Sequence, residues 1–222
     1  VKIDDLQQVR GAPGVFTDGK ELFTQNGAPW KNVYGERLIS VNGVEFRHWD
    51  PYRSKLSATI LLGGRNLGLD QSSKVLYLGA ASGTTASHVS DIVTEGVVWC
   101  VEISERSFRD LVKVCEVRKN MMPILADANT PHEYGHMIEG VEFVYQDIAQ
   151  RNQVEIFLKN MAAFEAGRGI LMLKSRSVNV NRSPKAVYAD VRKQLAEACL
   201  KVRQVVDLHT YAKDHAAFIV EE

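Results

Sequence analysis

From residue 74 onward, short apolar runs alternate with longer stretches in which apolar residues return every three or four positions. The runs at 74–79, 97–102, 122–127, 141–147 and 169–174 are near-continuous in Val, Leu, Ile, Met and aromatic residues, the pattern of strands buried on both faces. Between and after them, 84–94, 105–119, 151–166 and 183–199 have helical spacing; in the second, Phe108, Leu111, Val112 and Cys115 fall on one face. Two last runs, 202–208 and 216–221, meet at a turn too short for a crossover, which predicts an antiparallel pair at the end of the chain. Alternating strands and helices predict an α/β fold whose mostly parallel sheet is covered on both faces and whose last strand is antiparallel. In such sheets ligands bind beyond the carboxyl ends of the strands. The informative positions are therefore those where strands stop: Gly79, Glu102, Asp127, Asp147 and Lys174.

The first fifty residues have a different rhythm. Turn sequences such as GAPG, DGK, QNGAPW, YGE and VNG separate short runs at 21–24, 37–41 and 44–49, which predicts hairpins. Residues 1–52 are read as a small β-hairpin appendage and 53–222 as the main domain. The latter opens on a helix predicted over 53–68, with Ser54 as its cap, Leu56, Ile60 and Leu61 on one face, and Gly63-Gly64 near its end.

Composition changes this picture little. At 222 residues, 45% hydrophobic and 24% charged, the chain is ordinary for a globular protein, and no apolar run is long enough to cross a membrane. The polar, acidic opening VKIDDLQQVRGAPGVF has no signal-like apolar core, and three unclustered cysteines, Cys100, Cys115 and Cys199, fit a reducing compartment; a cytoplasmic location is expected. Net charge is zero but uneven: 72–150 carries six basic and eleven acidic residues, 151–222 twelve basic and eight acidic. A basic last third hints at a polyanionic partner.

The loop after the first strand of the main domain reads LGAASGTTASHV. Gly79 and Gly83 flank small residues that let the backbone approach a ligand, and the following helix start offers free N–H groups. Because Ala81 stands where a dinucleotide loop has its second glycine, a nicotinamide oxidoreductase is disfavoured. Glu102, 23 positions after Gly79, suits ribose hydroxyls, and Asp127 suits an adenine amino group or an Asx-turn. Lys55, Asp147, Lys174 and His215 form a second set, the last three brought to one rim by strand order. A lysine closing the run ILMLK is poorly placed for a merely solvated charge.

In order, the segments PYRSKLSATI, VLYLGAASGTTASHVSDIV, VEISERSFRDLVKVCEVRKNMMPILADANTPHEY, VEFVYQDIAQRNQVEIF and DHAAFIV resemble fibrillarin, the RNA 2′-O-methyltransferase family of box C/D ribonucleoproteins, over most of the chain. The absence of a Gly/Arg-rich tail resembles the archaeal form. The resemblance implies a Rossmann-like methyltransferase fold, S-adenosyl-L-methionine as methyl donor, and rRNA and tRNA ribose as substrates. It implies that Gly79, Ala81, Gly83, Thr84 and Thr85 cradle the methionine part of the donor. Glu102 with Ile103 would hold the ribose, Asp127 and Ala128 the adenine, and Asp147 and Gln150 the rest of the pocket. It further implies a catalytic set of Lys55, Asp147, Lys174 and His215, similar to the Lys-Asp-Lys-Glu set of other ribose methyltransferases with a histidine last. Its partners would be a Nop-domain scaffold protein, a kink-turn-binding protein and a guide RNA.

The chemistry suits these residue types. A ribose hydroxyl needs positioning and proton removal, and a lysine crowded by a second cation and a sulfonium holds its proton less tightly. From 174 to 189 there are four basic residues and no acids, so Arg176, Arg182 and Lys185 beside Lys174 are candidate RNA contacts; the sequence leaves Lys31, Arg53 and Arg65 unplaced. His132-Glu133-Tyr134-Gly135-His136 matches HExxH, but Pro131 and Gly135 spoil the continuous helix that zinc binding needs, so no metal is expected. His48, His88 and His209 are read as lone surface or core histidines. The competing functions are a protein (glutamine) methyltransferase and a scaffold subunit without catalysis, the latter disfavoured by the intact Lys55, Asp147, Lys174 and His215.

Overall fold

The computed structural model describes residues 5–222; the first four residues of the polar opening lie outside it. Five short strands come first: β1 (Gln7–Gln8), β2 (Val15–Thr17), β3 (Leu22–Gln25), β4 (Leu38–Val41) and β5 (Val44–His48). They form one antiparallel sheet in the order β1-β2-β3-β5-β4, with a small core of Phe23, Val41 and Phe46. The main sheet is built from β6 (Lys74–Leu78), β7 (Val97–Glu102), β8 (Met121–Leu125), β9 (Phe143–Gln146), β10 (Arg168–Lys174), β11 (Lys201–Asp207) and β12 (His215–Glu221). Its order is β11-β12-β10-β9-β6-β7-β8, parallel except for β12, which runs antiparallel to both neighbours as the sequence predicts.

Among the described residues seven α-helices connect these strands: α1 (Lys55–Leu61), α2 (Thr84–Ile92), α3 (Glu105–Glu116), α4 (Pro131–Tyr134), α5 (Gln153–Ala163), α6 (Ser175–Val178) and α7 (Pro184–Glu197). Alternation along each strand sends its side chains into two cores. Val75, Tyr77, Val98, Cys100, Phe143, Tyr145, Ile170 and Met172 pack with Leu56, Ile60, Ala86, Val89 and Leu111 on one face. Leu76, Leu78, Val101, Val144, Leu171 and Leu173 pack with Ile156, Phe157, Val187, Val191 and Leu195 on the other. Both cores are continuous because the central strands β6, β7, β9 and β10 are apolar on both faces between their ends, the reason they read as unbroken runs.

The first helix is shorter than the predicted 53–68. Ser54 caps its start, but Gly63 turns left-handed (φ 94°) and the chain folds back so closely that a Cβ on Gly64 would stand 2.7 Å from the Thr59 carbonyl oxygen. The third parallel strand also stops earlier, at Leu125, and leaves Asp127 in the turn beyond it.

The joint between the two sheets is polar and buried. The Arg47 guanidinium, with no side-chain exposure, donates to Glu36 at 2.7 Å, to Asp91 at 2.7 Å and to Ser87 at 2.9 Å. Thr24 donates to Asp91 at 2.8 Å. His88 lies within 2.7 Å of the Thr24 hydroxyl and 2.9 Å of the Tyr34 hydroxyl and stacks on Trp49 at 4.9 Å. Burial and the neighbouring Arg47 and Arg118 charges push its pKa well down, so the ring stays neutral. His88 is a core histidine but not a lone one: it is central to the contact that fixes α2, and with it the loop leading into α2, against the N-terminal sheet.

Candidate active site

The chain runs from β6 outward through β7 and β8, then returns to place β9 on the other side of β6. This reversal opens a crevice at the carboxyl ends of β6 and β9, where such sheets take ligands. A cavity of about 270 Å³ lies there, lined by Gly79, Ala81, Val101, Glu102, Ile103, Ala126, Asp127, Ala128, Asp147, Ile148, Ala149 and Gln150. Eight of the expected cofactor residues are in that lining.

The loop after β6 curls because Gly79 (φ 80°), Ala81 (φ 48°) and Gly83 (φ 87°) are all left-handed. For Ala81 this costs roughly 1–2 kcal/mol, and its N–H donates to the Glu102 carboxylate at 2.8 Å. The other Glu102 oxygen accepts from the Ser104 N–H at 2.7 Å, so the buried carboxylate is fixed by two backbone donors and keeps lone pairs for hydroxyls. At Gly79 a Cβ would stand 2.6 Å from the Asp147 carbonyl oxygen; only glycine lets the two strand ends meet there.

Three expected cradle residues do not line the cavity. Gly83 faces α3, where a Cβ would stand 3.2 Å from Leu111. Thr85 donates to the Ser54 hydroxyl at 3.0 Å, joining α2 to the cap of α1, and Thr84 lies in the same first turn of α2. They shape the loop from behind. On the opposite wall Asp127 makes the Asx-turn, one oxygen accepting from the Asn129 backbone and side-chain nitrogens at 2.9 Å each. Its other oxygen carries no hydrogen bond among the described residues, leaving it for an exocyclic amine. Asn129 also donates to Gln150 at 3.3 Å and accepts from Asn152 at 2.7 Å. Sequence reading passed over Asn129 and Asn152, although LADANT and QRN are amide-rich at strand ends.

The second set meets the first at Asp147. Its two oxygens accept from the Lys55 ammonium at 2.8 Å each, and the pair is only partly exposed, 27% for the lysine side chain and 20% for the aspartate. Lys174, the last residue of β10, lies opposite His215 in the β10–β12 register. His215 thus opens β12 instead of sitting in the turn before it. The buried amide of Gln153 holds Lys174 in place, accepting from its N–H at 2.9 Å and donating to its carbonyl at 3.1 Å. Nothing in the sequence singled out Gln153. Nδ1 of His215 lies 2.7 Å from the Lys213 carbonyl. Burial, then the charges of Lys55 and Lys174, lower its pKa against the opposing pull of that carbonyl and of Asp147. A neutral ring that donates from Nδ1 leaves Nε2 as a proton acceptor. The phenols of Tyr77 and Tyr145 lie on the same face, and burial together with the Asp147 charge keeps them protonated.

The basic segment after Lys174 is less free than its sequence suggests. Arg176 pairs with Asp214 at 2.7 Å, and Arg182 pairs with Asp190. Both acids lie outside the acid-free window, so of the three RNA candidates only Lys185 has no ion pair among the described residues. His132 and His136 sit on a one-turn helix and the 3₁₀ turn after it, both exposed.

The mixed sheet, the glycine-bearing loop, and the acids ending β7 and following β8 and β9 define a Rossmann-like methyltransferase of the S-adenosylmethionine-dependent class. A sequence model of the fibrillarin family matches residues 7–222. The fibrillarin-like rRNA/tRNA 2′-O-methyltransferase of Methanothermobacter thermautotrophicus is 46% identical over 218 residues, covering 97% of each chain. An Aeropyrum pernix fibrillarin in complex with natively bound S-adenosyl-L-methionine superposes with a TM-score of 0.86 at 39% identity, over 98% of this chain and 99% of that one. The fibrillarin of a fibrillarin/Nop5p complex gives 0.86 at 37% identity, over 94% and 97%. The chain belongs to the fibrillarin family.

Proposed function

We propose that this chain is the catalytic subunit of a box C/D ribonucleoprotein and transfers methyl groups from S-adenosyl-L-methionine to ribose 2′-hydroxyls of rRNA and tRNA. The observation that carries this reading is the position of Asp147, which lines the nucleotide-type cavity and also holds Lys55 at 2.8 Å. A donor in the cavity and a hydroxyl at the rim would therefore share one carboxylate. The residues present fit the donor: the fixed carboxylate of Glu102 for ribose hydroxyls, the unbonded oxygen of Asp127 for an amine, and the close backbone at Gly79. When bound, S-adenosyl-L-methionine supplies a methyl group on a positively charged sulfur that leaves readily.

The remaining work falls to the protein. Asp147 orients Lys55, and their bidentate contact leaves that lysine committed. Lys174 and the Nε2 atom of His215 are the groups left to hold the hydroxyl and take its proton. Such positioning suits a glutamine side chain less well, because an amide N–H is a weaker acid than a ribose hydroxyl and its nitrogen lone pair is delocalised into the carbonyl. A subunit without catalysis would have no use for this rim.

Substrate choice comes from outside the chain. Aromatic residues make up only 8% of it, and backbone-binding cations cannot choose a base. A guide RNA would choose the nucleotide by pairing, and a Nop-domain scaffold, supported by the Nop5p complex, would dock the enzyme with a kink-turn-binding protein. The test is methyl incorporation into a target RNA with and without scaffold, kink-turn protein and guide. Site-specific methylation should require all three; efficient methylation by the chain alone would make it a stand-alone enzyme.

A further inference from the structure

Two of the three cations expected to meet RNA after β10 are shared with carboxylates, which gives other cations on this face a part in holding RNA. On the far side of the cofactor loop, a groove of about 480 Å³ runs between the N-terminal sheet and α3. Its wall includes Ser82 of that loop, and its cations are Lys31, Arg53, Lys113 and Arg118. The one acid there, Asp110, is held by Lys113 at 2.7 Å, and Arg118 is buried behind, paired with Asp91 at 3.5 Å. Lys31 and Arg53 have no ion pair among the described residues. Arg53 instead lies 5.9 Å over the Tyr34 ring and stands two residues before Lys55.

Exposed aromatic rings flank these two cations. Trp30, next to Lys31, is 84% exposed and held in a left-handed backbone (φ 66°), its N–H donating to Glu45 at 2.9 Å. A bulky residue kept strained and exposed points to use by a partner. Tyr52, next to Arg53, is 72% exposed. An Asx-turn from Asp50 at 2.8 Å sets its backbone, and its ring packs edge-on against Tyr211 at 5.0 Å. Tyr211 belongs to the turn between β11 and β12 that leads to His215, so the Tyr52–Tyr211 pair bridges the two segments carrying Lys55 and His215.

We infer that this groove and its aromatic edge form a second RNA-binding surface: Lys31 and Arg53 hold phosphodiesters beside the reactive ribose, and Tyr52 stacks on a base there. Unpaired cations interleaved with exposed rings beside a ribose site are the arrangement expected for a nucleic-acid strand. The inference rests on the RNA methyltransferase reading and assigns it a location.

The test uses the assembled complex with guide and target RNA. The variants are Lys31→Glu/Arg53→Glu, Tyr52→Ala, Tyr52→Trp, and Lys193→Glu as a single charge reversal on an exposed part of α7. S-adenosylmethionine affinity and scaffold binding are measured first, then RNA affinity across a salt series and single-turnover methylation. The double charge reversal should weaken RNA binding by about tenfold or more and lower the salt slope by about two. Tyr52→Ala should slow methylation by about tenfold and Tyr52→Trp restore it, with donor affinity unchanged and Lys193→Glu behaving as wild type. An unchanged salt slope in the double charge reversal, beside a wild-type complex that methylates normally, overturns the inference and leaves the enzyme reading intact. Loss of scaffold binding in place of RNA binding also overturns it, as a protein interface. Competition by millimolar inorganic phosphate at wild-type salt slope would do the same, as a small-anion site. A wild-type complex that methylates no RNA would instead refute the proposed function.

Discussion

Arg47→Ala should cost the fold far more than its single charge suggests. Three guanidinium hydrogen bonds of 2.7–2.9 Å would be lost; the buried Glu36 carboxylate would stay without its cation, and Asp91 would keep only Arg118 at 3.5 Å. Removing one partner of a buried pair typically costs about 3–5 kcal/mol, since the other charge is left uncompensated. For a chain of this length each kcal/mol moves Tm by about 2–4 °C, so the expected drop is about 6–20 °C. Arg37→Ala is the internal comparison: its 2.6 Å pair with Glu21 is about half exposed, and such pairs contribute about 0–1 kcal/mol. Arg47→Lys keeps the charge but not the fork that reaches three partners, and should fall between them. Calorimetric melts of the three variants at pH 7.5 are the assay. Because the network clamps α2, donor affinity should fall with stability in Arg47→Ala. If Arg47→Ala and Arg37→Ala melt within about 2 °C of each other, the buried network is not what joins the sheets.

Asp127→Ala should weaken S-adenosylmethionine binding by about 1–3 kcal/mol, read by titration calorimetry; unchanged affinity would remove Asp127 from the site. Stability should fall as pH drops below 6.5, the ordinary histidine value, because the unfolded chain then gains a proton that buried His88 refuses. The slope is at most about 1.4 kcal/mol per pH unit from this residue, and denaturant melts between pH 7.5 and 5.5 would show it; a flat profile would mean His88 can charge in place. The depressed carboxyls of Asp18, Glu36 and Asp70 act in the same direction but only below about pH 4.5, as the unfolded chain's carboxyls take up protons that the native ones refuse.

The sheet was legible because its central strands are apolar between their ends and a glycine or a charge stands at or just past each, so strand ends and candidate ligands could be read together. Gly79, Glu102 and Asp147 follow from that alone. Contacts between distant residues were not legible. Arg47 meets Asp91 across 44 positions, and His88 meets Thr24 across 64, so neither shows in local spacing. The basic segment after Lys174 misled for the same reason: Asp214, which neutralises Arg176, comes from another strand connection. The helix predicted over 53–68 ends early for a local reason instead: Gly63 turns left-handed and the Gly64 N–H donates back to the Thr59 carbonyl at 2.8 Å, a glycine stop that apolar periodicity alone runs past.

The rim of Lys55, Asp147, Lys174 and His215 is tested most directly by single-turnover methylation in the assembled complex, wild type against Lys174→Ala, with donor affinity measured on the same proteins. Loss of a group that handles the hydroxyl proton should slow transfer by about 10²–10⁴-fold and leave donor affinity nearly unchanged, since Lys174 does not line the cavity. A Lys174→Ala enzyme that transfers methyl within about threefold of wild type would mean that this rim does not do the chemistry.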